Sequence, residues 1–97
     1  MKFISLLKRT LLVAGLVAAS LASAQDIKIG FNGDLSASPS AQSGHAAVQG
    51  MQAAIDDINA AGGVLGKKLA LVTRDDLSQP PKSIHNMSEL IDNEKVV

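Results

Sequence analysis

The sequence predicts an α/β fold, the βαβα(β) opening of a doubly wound parallel sheet. Two short apolar runs, Ile27–Phe31 and Lys68–Thr73, alternate with two longer segments whose apolar residues recur at helical spacing. Each segment is separated from the next by Gly, Pro, Asn or Asp. The second run is apolar on both faces, as suits a parallel strand covered on either side.

Residues 1–24 stand apart from this pattern. Lys2, Lys8 and Arg9 precede the uncharged stretch Thr10–Ala19, and Ser20-Leu-Ala-Ser-Ala24 follows it. That is the order of a cleaved secretory signal, with the cut expected after Ala24. The apolar run is shorter than the ~20 residues needed to cross a bilayer, and no Cys is present to carry a lipid anchor. Residues 25–97 then hold six basic against nine acidic side chains, a net charge of about −3. This balance excludes a polybasic nucleic-acid arm, and with Phe3 and Phe31 as the only aromatic residues there is no base-stacking platform. No nucleic-acid partner is expected. The lack of Cys also removes disulfides and thiolate zinc sites.

Ile27, Ile29 and Phe31 fall at period two and are bounded by Asn32-Gly33, which predicts the first strand. Gly33 to Gly44 is rich in Ser and turn formers and reads as a long loop. Val48, Met51, Ile55 and Ile58, flanked by Ala47, Ala54 and Ala61, predict a helix over about 44–61 that buries one stripe. Gly62-Gly63 ends it, because Gly accepts the left-handed conformation that satisfies the last carbonyls. Lys68–Thr73 follows as a central strand, closed by Arg74-Asp75-Asp76. Ser78-Gln79-Pro80-Pro81 starts the second helix; Pro81 suits its first turn, whereas Pro80 is biased away from helix by the proline after it. Ile84, Met87 and Ile91, with Leu90 beside them, predict its apolar stripe, and Val96-Val97 reads as the opening of a third strand. A sheet of this kind needs further strands to cover its edges and faces. Residues 25–97 are therefore expected to be the N-terminal part of a longer lobe.

Ligands of open α/β sheets sit beyond the carboxyl ends of the strands, which directs attention to Asn32–Gly44. The loop lacks G-x-G-x-x-G and so has no dinucleotide cradle. Gly62–Lys68 has a distant likeness to a phosphate-binding loop, but its Gly spacing is one residue short and it precedes a strand instead of a helix. No G-x-S-x-G accompanies the serines, His45 and His85 are isolated, and Asp75 and Asp76 point to opposite faces as neighbours on a strand. No catalytic residue, metal site or cofactor is expected. Asn86-Met-Ser88 matches a glycosylation sequon by composition alone. What remains is Ser36, Ser38, Ser40, Gln42 and Ser43 ahead of a helix N-terminus, where hydroxyls and unpaired amides hold a carboxylate; the plainer reading makes Ser43 the helix cap.

Ile27-Lys-Ile-Gly30, Gly33-Asp-Leu-Ser36, Gln42-x-Gly44, Ile55-Asp-Asp-Ile-Asn-Ala-Ala-Gly-Gly-Val-Leu-Gly-Lys-Lys68, Arg74-Asp-Asp76 and Pro81-Lys82 closely resemble the periplasmic leucine/isoleucine/valine-binding proteins of ATP-driven transporters. The resemblance covers essentially all of residues 25–97. It implies the first part of a two-lobed type I periplasmic binding protein, monomeric and without cofactor, that closes over an amino acid or similar small solute and docks on an ABC permease in the inner membrane. It also implies first-lobe contacts from the loop before the first helix, with Ser36, Gln42 and Ser43 as the ligand-binding candidates. Where the family often has an aromatic between the Gln and the Gly, this chain has Ser43, and Ser38-Pro39-Ser40 lengthens the loop by about one residue. The loss of an aromatic removes one wall of an apolar pocket. Two other readings fit the same residues: an exported ligand-sensing lobe, and a truncated remnant without function.

Overall fold

A computed structural model describes residues 25–97; the expected signal segment and its cleavage point lie outside the described residues. Strands β1 (Ile27–Gly33) and β2 (Leu69–Asp75) pair in parallel, in register from Ile27 opposite Leu69 to Gly33 opposite Asp75. Helix α1 (Ala41–Ala60) joins them, and α2 (Pro80–Asp92) follows β2. Side chains alternate along each strand and paired residues share a face. The even-numbered ones turn to α2: Asn32 bonds Ser83, Arg74 meets Glu89, and Gly30 lies under Leu90. This leaves Ile27, Ile29, Phe31, Leu69 and Leu71 for α1, which packs on both strands.

The expected strands and helices are present, with informative differences at their ends. Helix α1 begins at Ala41 instead of near residue 44, because Gly44 does not interrupt the helix but lets the preceding loop cross its first turn. A Cβ on Gly44 would run into the Asp34 carbonyl. Ser40 therefore holds the N-cap position, and Ser43 lies inside the first turn and is not the cap. The stripe of Val48, Met51 and Ile55 turns inward, with Ile55 buried and Ile58 at its exposed margin. Ala47, Ala54 and Ala61 are exposed. Gly62 and Gly63, at φ 111° and 80°, end α1 as expected, the Gly63 N–H donating to Ile58 O at 2.9 Å. Asn59 then ties the helix to β2: its Nδ2 donates to Leu69 O and its Oδ1 accepts from Leu69 N, both at 2.8 Å.

Helix α2 departs further. Pro80 is helical and occupies the first position with Pro81 behind it; Gln79, extended at φ −110° and ψ 113°, absorbs the restriction that a proline places on its predecessor. Its buried residues are Asn86 and Leu90, one turn apart, not the expected stripe. Ile84, Met87 and Ile91 are exposed, Ile84 at 71%. Periodicity gave the helix its apolar line; the orientation is set by Asn86, whose Nδ2 donates to Asn32 Oδ1 and to Asp75 O, both at 3.1 Å. Burial of Asn86 also disposes of the sequon, since its amide is committed inside the fold. Val96 and Val97 do not form a strand element, yet Val97 N–H donates to Lys28 O at 2.9 Å, on the edge of β1 away from β2.

Gly30 and Gly44 separate two kinds of tight contact. Alanine at Gly30 would meet the side-chain tips of Val96 and Leu90 at 3.3 and 3.4 Å, which can shift. Gly30→Ala should therefore stay within about 1 kcal/mol of the parent in urea unfolding of the full chain. Gly44→Ala should cost about 1–3 kcal/mol, despite the better helix propensity of Ala, because backbone is what it meets.

Candidate functional site

The loops that leave β1 and β2 emerge side by side at the carboxyl end of the sheet. Asp34, just past β1, gathers donors on both carboxylate oxygens. Its Oδ1 accepts from the amides of Ser36 at 3.1 Å and Ala37 at 2.8 Å; its Oδ2 accepts from the hydroxyls of Ser38 at 2.5 Å, Ser78 at 2.9 Å and Ser40 at 3.3 Å. Asp75, the last residue of β2, accepts the Leu35 and Leu77 amides on Oδ1, each at 3.0 Å, and the Ser36 hydroxyl on Oδ2 at 2.5 Å. Asp76 turns away and caps the Ser78 amide at 2.9 Å. Leu77 and Ser78 both stand at φ 53°, a left-handed conformation that non-glycine residues seldom adopt.

These bonds set the charge state. The Ser38 hydroxyl and then the Ala37 amide hold Asp34 well below the usual carboxylate range, outweighing the opposing desolvation. Asp75 is lowered chiefly by the Ser36 hydroxyl, with help from the Leu35 and Leu77 amides and against desolvation and the charge of Asp34. Away from the loops, Glu94 is lowered by Lys28, at 3.2 Å, and by Arg74, at 3.1 Å.

Of the sequence-derived candidates, Ser36 is joined to Asp75, with its hydroxyl proton engaged and its lone pairs open to an incoming donor. Gln42 and Ser43 are exposed on the first turn of α1 and make no bond to Ser36. There the Ala41 N–H turns back to Ser38 O and the Gly44 N–H begins the helical ladder at Ser40 O. The Gln42 and Ser43 amides are left without an acceptor among the described residues. Ser38 and Ser40, also candidates, have hydroxyls directed to Asp34. Asp34 and Ser78 lie outside the sequence-derived candidates, although an Asp followed at two, four and six residues by Ser is a recognisable pattern for carboxylate-centred turns.

The second helix offers an anion less. Pro80 and Pro81 carry no N–H, and the open cavity beside them, about 490 Å³, is lined by Asp76, Ser78, Gln79, Pro80, Ser83 and Ile84 with no cation. Exposed His85 stands 3.4 Å from Glu89, its one charged partner among the described residues. Among the described residues no three His, Cys, Asp or Glu side chains are grouped to hold a metal ion.

Comparison with known proteins gives a consistent neighbourhood. Residues 26–97 match the family model described as "Periplasmic binding protein", a family of binding proteins and not of enzymes. The chain is 38% identical to the Leu/Ile/Val-binding protein of Citrobacter freundii over 90% of its own length and 24% of that protein's. It is also 38% identical to the Leu/Ile/Val/Thr-binding protein of Salmonella typhimurium, again over 24% of the relative. The structure aligns with the branched-chain amino acid substrate-binding protein LivJ of Streptococcus pneumoniae, solved with isoleucine, at a TM-score of 0.68 and 38% identity, covering 74% of this chain and 20% of that one. The fold is thus that of part of one lobe, and the chain spans about a quarter of the length of the curated relatives it matches.

The lowered carboxylates make a prediction about acid. A group with a depressed folded-state pKa adds stability above its unfolded value, near 4, which is lost as pH falls through the folded value. Stability of the full chain should therefore be level near neutrality and decline progressively below about pH 4. Asp34→Asn should be less stable than the parent at pH 7 and show a flatter decline below pH 4, read from urea midpoints at each pH.

Proposed function

Because the chain belongs to the periplasmic binding protein family, we propose that it acts as the extracytoplasmic solute-binding component of an ABC importer for branched-chain amino acids or related small organic solutes. The observation that carries this reading is the first turn of α1, where the amides of Gln42 and Ser43, at the carboxyl end of the sheet, have no acceptor among the described residues. A helix N-terminus favours the carboxylate that every amino acid carries. Ser36 complements it, because a hydroxyl whose proton is held by Asp75 meets a ligand as an acceptor and suits an α-ammonium group. Binding of this kind needs no cofactor, metal or nucleophile.

In this reading residues 25–97 are the N-terminal part of the first lobe and supply one wall of the ligand cleft. Ser43 in place of an aromatic makes that wall smaller and more polar than a strictly apolar side chain would require, which leaves room for small polar solutes beside leucine. Residues 1–24 direct export and are removed after Ala24, so the mature protein works in the periplasm as a monomer and delivers its ligand to a permease in the inner membrane.

The test is a titration of the isotopically labelled full chain with L-leucine, L-isoleucine and L-valine, followed by amide chemical shifts. Saturable shifts centred on Gln42, Ser43 and Ser36, reduced when Gln42 is changed to Ala, are expected. If none of the three amino acids moves those amides, first-lobe binding at this rim is wrong.

A further inference from the structure

We infer that Asp34 and Asp75 are positioning residues that latch the two rim loops together by a crossed exchange of serine hydroxyls. The inference rests on the reading above only in taking Ser36 and the first turn of α1 to be ligand-facing. Each carboxylate holds its own loop and reaches across to the other. Asp34 organises its own loop through the Ser36 and Ala37 amides and takes the Ser78 hydroxyl from the loop after β2 at 2.9 Å. Asp75 supports its own loop through the Leu77 amide and takes the Ser36 hydroxyl from the loop after β1 at 2.5 Å. On Asp75, one oxygen serves both sides, since Leu35 of the first loop and Leu77 of the second donate to the same Oδ1 at 3.0 Å.

Two features show that the latch does more than decorate the loops. Leu77 and Ser78 both occupy a sparsely populated left-handed conformation, which persists only where surrounding bonds hold it. Each has its amide taken by a carboxylate, Asp75 for Leu77 and Asp76 for Ser78. The second feature is the main chain of Asp34, whose carbonyl lies so close to Gly44 that a Cβ would overlap it. The position of Asp34 thereby fixes how the first turn of α1, with Gln42 and Ser43, meets the loop. A line of contact runs from Ser78 through Asp34 to α1, and a second from Leu77 through Asp75 to Ser36. The loop after β2 sets the geometry of candidate ligand contacts that belong to the loop after β1. A rim held in this way is ordered before a solute arrives, and binding is relieved of that ordering cost.

The inference is tested by amide hydrogen exchange on the labelled full chain. Ser78→Ala removes the hydroxyl that crosses to Asp34 and leaves the bonds within the first loop in place. Exchange at the Ser36 and Ala37 amides, in the opposite loop, should rise by about tenfold or more. Reciprocally, Ser36→Ala should raise exchange at the Leu77 amide by a similar factor. Asp76→Asn, which alters only a local cap, should move the Ser78 amide and spare Ser36 and Ala37. Effects confined in both serine variants to the mutated loop would overturn the latch, whatever the stability of either variant. The outcome separates from that of the amino-acid titration. Cross-loop effects in a chain that ignores leucine, isoleucine and valine leave the latch standing and remove the ligand reading, and confined effects in a chain that binds leucine do the reverse.

Discussion

Seven residues of β1 lie in register with seven of β2, and because the strands are parallel their carboxyl ends open at one place. Most of what matters in the molecule follows from that constraint. An antiparallel pair would send the two loops to opposite ends of the sheet. Parallel pairing instead brings Gly33 opposite Asp75, and the Asp76 N–H continues the ladder to Gly33 O at 3.0 Å. Asp34 and Asp75 are thus delivered to neighbouring positions by the backbone alone. With both carboxylates fixed, the serines around them are close enough to share.

The same strand ends are sealed from the other face by amides. Asn32 Nδ2 donates to Ser83 O at 2.9 Å and to Ser83 Oγ at 3.1 Å, while Asn86 bridges Asn32 Oδ1 and the Asp75 carbonyl. The Asp75 carbonyl ends a strand and would otherwise be left at the base of α2. An unsatisfied buried polar group costs about 1–3 kcal/mol, so the buried position facing it is held by an amide and not by a leucine. Leu90, one turn further along α2 and 2% exposed, supplies the apolar contact with Gly30 of β1 beneath it. Together an amide and a leucine set the rotation of α2, and Ile84, Met87 and Ile91 are turned outward as a consequence.

Much of this architecture was legible in the residues. Period two in Ile27–Phe31, period near 3.6 in Val48–Ile58, and Gly62-Gly63 after them fix the order of elements. The ends were harder to read, because they are decided by contacts between distant residues. Gly44 looks like a boundary in sequence and is a helix interior in space, since its missing Cβ serves the Asp34 carbonyl. Pro80 looks excluded from the helix until Gln79 takes up the strain. The inward face of α2 is hidden in the sequence for a related reason: an apolar line gives a helix a period, but a buried Asn with two acceptors decides which side faces the sheet. At the rim, Ser36, Gln42 and Ser43 were visible as polar residues before a helix. The partners Asp75 and Ser78 lie about forty positions further on, at separations of 39 for Ser36–Asp75 and 44 for Asp34–Ser78, where no local pattern announces a bond.

Two carboxylates at the rim of a site proposed for an amino acid pose an electrostatic difficulty, since their charge opposes the ligand's own carboxylate. The bonding resolves it. Asp34 accepts five donors and Asp75 accepts three, so each negative charge is solvated by amides and hydroxyls of the protein. Such a charge is stabilised where it stands and is partly compensated by the dipoles turned toward it. The ligand's two charged ends then meet different surroundings. In the proposed function its carboxylate would go to the α1 amides left without an acceptor among the described residues, and its ammonium to the side of the rim where Asp34, Asp75 and the lone pairs of Ser36 gather. The prolines at the start of α2 take two amides away from the competing helix start next door. If the proposed function holds, the orientation of a bound zwitterion is set by how the loops hold themselves together.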